Sequence, residues 1–223
     1  MTEKLIQGIE KLGLNFSGEQ MNALETYIEK VLEFNQSYNL MKADSPDELA
    51  VNHILDSLAA VPHISQLIEN ICSEKNITHS DLLLGDIGSG GGCPGLPLAV
   101  AFPDIKFVLV ERMEKRCAFL ESAVRAMKLE NVTVNCTPAN LIRMNTFDLE
   151  VFRAFHPFDK QISYLLLNML KKGGYLAAYK ARAEKIQAEM ESVKSIIPEY
   201  KKIALTVPFL EDHERNLVVV KKA

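Results

Sequence analysis

A chain of 223 residues, 48% of them hydrophobic, can bury one substantial core but is short for two. No apolar run approaches the roughly 20 residues of a membrane span, and the first residues lack the basic-then-apolar order of a secretory signal, so a soluble, cytoplasmic protein is expected. The net charge of −4 conceals a split: residues 1–75 hold 5 Lys/Arg and 12 Asp/Glu, while residues 76–223 hold 20 and 17, which leaves room for a basic face on the second part.

Ser17-Gly18-Glu19-Gln20 has the form of a capping box, and apolar residues recur at helical spacing from Met21 to Tyr38. A second helix start is written at Ser45-Pro46-Asp47-Glu48, a cap followed by proline and acids, and runs through His53 to Leu58. Pro62 separates it from a third helix reaching about Cys72. Residues 1–80 are therefore expected to form an N-terminal helical cap, linked through Glu74 to Ser80 to a domain over residues 81–223.

From Leu82 the rhythm changes. Short apolar runs at Leu82 to Leu84, Ile105 to Val110, Val132 to Cys136, Phe147 to Arg153 and Tyr175 to Lys180 predict strands. Helices are predicted from Leu96, from Lys115 to about Lys128, from Pro157 until Gly173-Gly174 breaks it, and from Arg182 to Ile197. Such alternation predicts an α/β fold with a mostly parallel sheet covered on both faces. Ile203 to Phe209 and Asn216 to Val220 have no helix between them and should close one edge as an antiparallel hairpin. Cys72, Cys93, Cys117 and Cys136 show no Cys-x-x-Cys pair and no histidine at ligand spacing, so reduced thiols and no metal site are expected.

The first strand leads into Asp86-Ile87-Gly88-Ser89-Gly90-Gly91-Gly92-Cys93-Pro94-Gly95, placed where open parallel sheets bind ligands. The second strand ends in Glu111, an acid able to accept the hydroxyls of a ribose. Gly90, Gly92 and Gly95 literally match a dinucleotide fingerprint, which keeps an NAD-dependent oxidoreductase in view. Asp86, however, offers a pyrophosphate neither a donor nor positive charge and suits the ammonium and sulfonium of S-adenosylmethionine better.

Tyr38 to Leu40, His53 to Leu58, the glycine loop with its closing Pro-Gly-Leu-Pro, Glu111 to Leu120 with its Lys-Arg-x-x-Phe-Leu, Arg153-Ala154 and Glu214 to Val220 together resemble the RsmG (GidB) family in order and over nearly the whole chain. The resemblance implies a Rossmann-like class I S-adenosylmethionine-dependent methyltransferase acting on guanine N7 in the 530 loop of 16S ribosomal RNA, free or in the 30S particle. It implies that Gly88 and the loop through Gly90, Gly92 and Cys93 cradle the methionine part, that Glu111 takes the ribose, that Ala139 and Asn140 flank the adenine, and that Arg153 lies in the pocket facing substrate. Asn140 stands where the family commonly has glutamate.

Guanine N7 has an in-plane lone pair and needs no base to deprotonate it. Catalysis would then consist of alignment, with Arg153 or Lys180 donating near O6 as charge develops on the ring. For RNA, two basic groupings are candidates: Lys115, Arg116, Arg125 and Lys128, or Lys180, Arg182, Lys185 and Arg215. His53 and Asp56, three apart on one helix, suggest a local hydrogen bond tethering the cap, and Cys93 reads as a wall residue rather than a nucleophile. An RNA-binding protein without turnover is the non-enzymatic alternative; a monomer is expected.

Overall fold

The computed structural model describes residues 2–43 and 45–223. The cap opens with α1 (Glu3–Lys11), absent from the sequence expectation, whose N-terminus is held by the Thr2 hydroxyl accepting from the Leu5 N–H. In α2 (Gly18–Asn35) the expected capping box forms, and one face buries Ala23, Leu24, Tyr27, Ile28 and Val31. Next come α3 (Pro46–Leu49), a π-helical segment Ala50–Leu55 and α4 (Asp56–Leu58) as one continuous helical run. In α5 (Val61–Lys75) Pro62 sits inside the first turn, where its missing N–H costs nothing.

The remainder alternates as predicted: β1 (Leu83–Ile87), α6 (Gly95–Ala101), β2 (Lys106–Glu111), α7 (Glu114–Met127), β3 (Val132–Cys136), β4 (Phe147–Arg153), α8 (Lys160–Met169), β5 (Leu170–Lys180), α9 (Ala183–Ser192), β6 (Lys201–Ala204) and β7 (Asn216–Lys221). The strand order is β3-β2-β1-β4-β5-β7-β6. The first five strands are parallel, and β7 runs antiparallel to both β5 and β6, which gives the expected edge hairpin. Order reverses between β1 and β4, so the carboxyl ends of β1, β2 and β4 open a crevice there.

An apolar layer lies on each face of the sheet. On the cap side one cluster runs without a break from Leu5, Leu24 and Leu55 to Leu84, Leu109, Val151 and Leu217, so the cap and the sheet share a single core. The other face packs Ile87, Val110, Phe152, Leu176 and Val218 against Leu166, Ile186 and Met190. Asp148 ties this scaffold together at the amino end of β4, accepting from Lys75 at 2.9 Å, Lys171 at 2.6 Å and the Leu83 N–H at 3.1 Å.

Several sequence expectations are corrected. The helix expected from Pro157 begins at Lys160, because Asp159 is the better cap and accepts from the Ile162 N–H at 2.8 Å. Gly173 and Gly174 do not break a helix; they lie within β5, where a Cβ on Gly174 would collide with the Asp148 carbonyl. The first strand of the hairpin spans Lys201–Ala204 and does not reach Phe209. Cys117 and Cys136 are not free thiols: α7 folds back over β3 and brings their Cα atoms to 5.7 Å, where they form a disulfide. Glu150, within β4, is wholly buried with no hydrogen-bond partner among the described residues, and burial drives its pKa well up.

Candidate active site

The glycine loop is folded onto the end of β2. The N–H groups of Gly88 and Ser89 both donate to the Val110 carbonyl, at 2.8 and 3.0 Å, and the Gly90 N–H donates to Glu111 Oε2 at 3.0 Å. Gly88, Gly90 and Gly92 have φ of 72°, 57° and 96°, so this path is open to glycine and strained for other residues. At Gly88 a side chain would also run into the Phe155 ring. The loop and the strand ends around it wall a cleft of 420 Å³ lined by Gly88, Glu111, Ala139, Asn140, Phe155 and Leu165, among others. Four residues expected to hold one cofactor, Gly88, Glu111, Ala139 and Asn140, are thus brought to one cavity. A larger cleft of 560 Å³ between α2, α6 and α7 shares none of them.

Asp86, Gly90, Gly92, Cys93 and Arg153, also expected there, do not line that cleft; Asp86 and Cys93 are buried beneath it and Arg153 lines a neighbouring one. Asp86 is fully buried and accepts the Gly95 N–H on Oδ2 at 2.9 Å, while its Oδ1 has no hydrogen-bond partner among the described residues. Burial raises its pKa to about 7, against the pull of the Gly95 N–H and the Ser89 hydroxyl. Glu111 is buried as well, and its Oε1 accepts the N–H groups of Arg112 and Met113 at 2.8 and 2.9 Å. Two carboxylates, one with an unused oxygen, beside a cradle that excludes Cβ atoms form a site suited to a cationic adenosine cofactor and poorly suited to a pyrophosphate.

Sequence reasoning missed the residue that holds the loop from the cap side. Tyr27 of α2 is fully buried, and its hydroxyl donates to the Gly91 carbonyl at 2.6 Å and lies 3.2 Å from both Cys93 Sγ and Met41 Sδ. A buried tyrosine on an amphipathic helix face reads as core from sequence, because nothing local announces its partner 64 residues away. Burial raises the Cys93 thiol above its ordinary pKa, which disfavours a nucleophile, but the residue is not a wall of the cleft.

At the end of β4, Arg153 is gripped by the cap. Its Nη1 donates to Asp56 Oδ2 at 2.8 Å and to the Asn52 carbonyl at 3.1 Å, and its Nη2 reaches His53 Nδ1 at 2.8 Å. Asp56 Oδ1 accepts in turn from Arg215 Nε at 2.8 Å. His53 and Asp56 therefore do tether the cap, but through Arg153 and not through each other. Burial, then the Arg153 charge, lowers the His53 pKa to about 4, so the ring is neutral. With Nδ1 accepting from arginine, Nε2 carries the proton and donates to the Lys42 carbonyl at 3.2 Å. Burial works against the Arg153 charge, yet Cys93 and Asp56 outweigh it and raise its pKa.

Arg153, Lys180 and Arg215 line a second cleft of 540 Å³ on the cap side of the same strand ends. Lys180 is already engaged, with Nζ donating to Glu189 at 2.7 Å and to the His156 carbonyl at 3.2 Å. Of the other basic candidates, Arg116 lines the cofactor cleft 3.8 Å from Glu111, and Lys115 sits over the Tyr38 ring. Among the described residues no His/Cys/Asp/Glu group could hold a metal, and no helix is long and apolar enough to cross a membrane.

Comparison with known proteins places this arrangement. The profile of the GidB family, described as rRNA small subunit methyltransferase G, matches residues 20–218. A ribosomal RNA small subunit methyltransferase G from Treponema denticola is 36% identical over 238 residues, covering 98% of this chain and 93% of that protein. One of the same description from Actinobacillus pleuropneumoniae serotype 5b is 32% identical, covering 100% and 99%. Among solved structures the methyltransferase domain of METTL16 superposes with a TM-score of 0.57 at 13% identity, covering 87% of this chain and 78% of that one, a likeness of fold.

Proposed function

We propose a target and a working arrangement for this chain, which belongs to the GidB family, rRNA small subunit methyltransferase G. It is an S-adenosylmethionine-dependent methyltransferase of small-subunit ribosomal RNA, and the target we propose is N7 of a guanine in the 530 loop of 16S rRNA, in the bacterial cytoplasm. The observation that carries the reading is the cleft at the switch point, where Gly88, Glu111, Ala139 and Asn140 meet in a chain matched to that family over residues 20–218.

The bound cofactor supplies a methyl group already activated on sulfur. The protein's part is then placement. Glu111, with three lone-pair positions engaged by backbone N–H groups, is held rigidly enough to meet ribose hydroxyls with its remaining capacity. Asn140 and the apolar walls Ile162 and Leu165 are placed for an adenine. Asp86, behind the loop, provides negative charge toward the cationic end of the cofactor. Guanine N7 carries an in-plane lone pair and no proton to lose, so the chain's own residues would need to supply no base. Positive charge spreads over the purine, and Arg153 and Lys180 are the cations at hand for O6 in the adjoining cleft. Arg153 is pre-organised for this by its three cap partners.

The reading is tested by calorimetric titration with S-adenosylmethionine and with NADH, followed by transfer of labelled methyl to unmethylated small-subunit particles. Binding of S-adenosylmethionine and label on RNA are expected. Binding of NADH alone would replace the reading with an oxidoreductase; RNA binding without label would replace it with a non-catalytic binder.

A further inference from the structure

The cofactor cleft and the basic cleft are separated by a single wall, and that wall is Ala154, Phe155 and His156, the three among the described residues that line both. The chain reaches it through a strained step: Ala154 has φ of 53° in the left-handed region, with no glycine to relieve it. That turn immediately follows Arg153, the last residue of β4, and lays the half-buried Phe155 ring over Gly88 of the cofactor loop. Phe155 is steadied from behind by Phe152, edge-on with centroids 6.1 Å apart, and from the side by His156 at 4.9 Å with the rings nearly perpendicular. The His156 carbonyl is itself fixed by the Lys180 ammonium.

An aromatic ring held between a cofactor site and a cationic cleft is what an unstacked base needs when it leaves its neighbours in the RNA. We propose that Phe155 is the stacking surface for the target guanine, positioning it between the loop at Gly88 and the cations Arg153 and Lys180; this rests on the methyltransferase reading above. The strained Ala154 is then the device that turns the ring out of the strand and into both clefts.

The test uses the full chain and unmethylated small-subunit particles, with single-turnover methyl transfer and calorimetric affinity for S-adenosylmethionine measured on Phe155→Ala and Phe155→Tyr. Losing one base–aromatic stack should slow F155A by about 5- to 150-fold at saturating S-adenosylmethionine, with most of the rate recovered in F155Y. Because the chain contains no tryptophan, F155W carries a single indole reporter, whose emission should be quenched when substrate RNA binds. Transfer by F155A at the wild-type rate under saturating cofactor, or an indole unaffected by RNA, would each overturn the proposal. Failure of the wild-type chain itself to label RNA would instead remove the methyltransferase reading beneath it.

Discussion

Asp56→Ala should unseat the cap. The carboxylate is nearly buried, with a side-chain exposure of 6%, and it accepts from two guanidiniums at 2.8 Å, Arg153 on one oxygen and Arg215 on the other. Removing one member of a buried ion pair costs about 3–5 kcal/mol, mostly because the surviving charge is left without a partner. The two arginines keep 18% and 28% of their side chains in water, which screens the orphaned charges and puts the expected loss near the lower end, about 3 kcal/mol. For a chain of this length that corresponds to a fall in melting temperature of roughly 6–12 °C. Urea denaturation of Asp56→Leu, Arg153→Met and the double variant carrying both, beside Asp56→Ala, gives the coupling directly. The double variant should recover only the part of the loss that comes from stranding Arg153, since Arg215 still loses its partner on Asp56 Oδ1. Its methyl transfer should remain low, because Arg153 is then absent from the cleft. An Asp56→Ala protein within about 1 kcal/mol of wild type would refute the anchoring argument.

Tyr27→Phe removes the hydroxyl that holds the Gly91 carbonyl; an unpaired buried acceptor costs about 1–3 kcal/mol, and thermal melts should show a smaller cofactor-induced shift, whereas unaltered melts with and without cofactor would rule the tether out. Gly88→Ala should abolish cofactor binding in a titration, because its φ of 72° is strained for alanine and the methyl group meets the Phe155 ring; wild-type affinity would contradict the cradle. Asp86, its pKa raised to about 7, is largely protonated at pH 6, and a cationic ligand favours its ionised form, so binding at pH 6 should release a proton and the release should fade above pH 8. Calorimetry in two buffers of different ionisation enthalpy reads that release, and it should vanish in Asp86→Asn; heats that do not depend on the buffer would exclude the linkage.

Much of this fold is written in local pattern. The strands Val132–Cys136 and Phe147–Arg153 are legible in the sequence as β-branched and aromatic runs, the first closed by Thr137-Pro138. The missing helix between the last two strands announced the antiparallel edge. Glycines misled where their role was tertiary: Gly174 meets the Asp148 backbone across the sheet, which no local rule reveals. The site divides along the same line. Gly88 and Glu111 could be identified from their places at strand ends, Ala139 and Asn140 only through the family resemblance, and the four line one cleft. Arg153 could be singled out but its grip by Asn52, His53 and Asp56 could not, since those contacts span about a hundred residues and pass through a π-helical segment that alters helical spacing. Tyr27 and the Cys117–Cys136 link belong to the same class of long-range facts.

The central claim is tested most directly by locating the methyl group. Small-subunit particles lacking the modification, incubated with the protein and S-adenosylmethionine and then treated with borohydride and aniline, should break at one guanine in the 530 loop, as N7-methylation labilises that nucleotide. Incorporated methyl with no scission, or scission elsewhere in the RNA, would contradict the account.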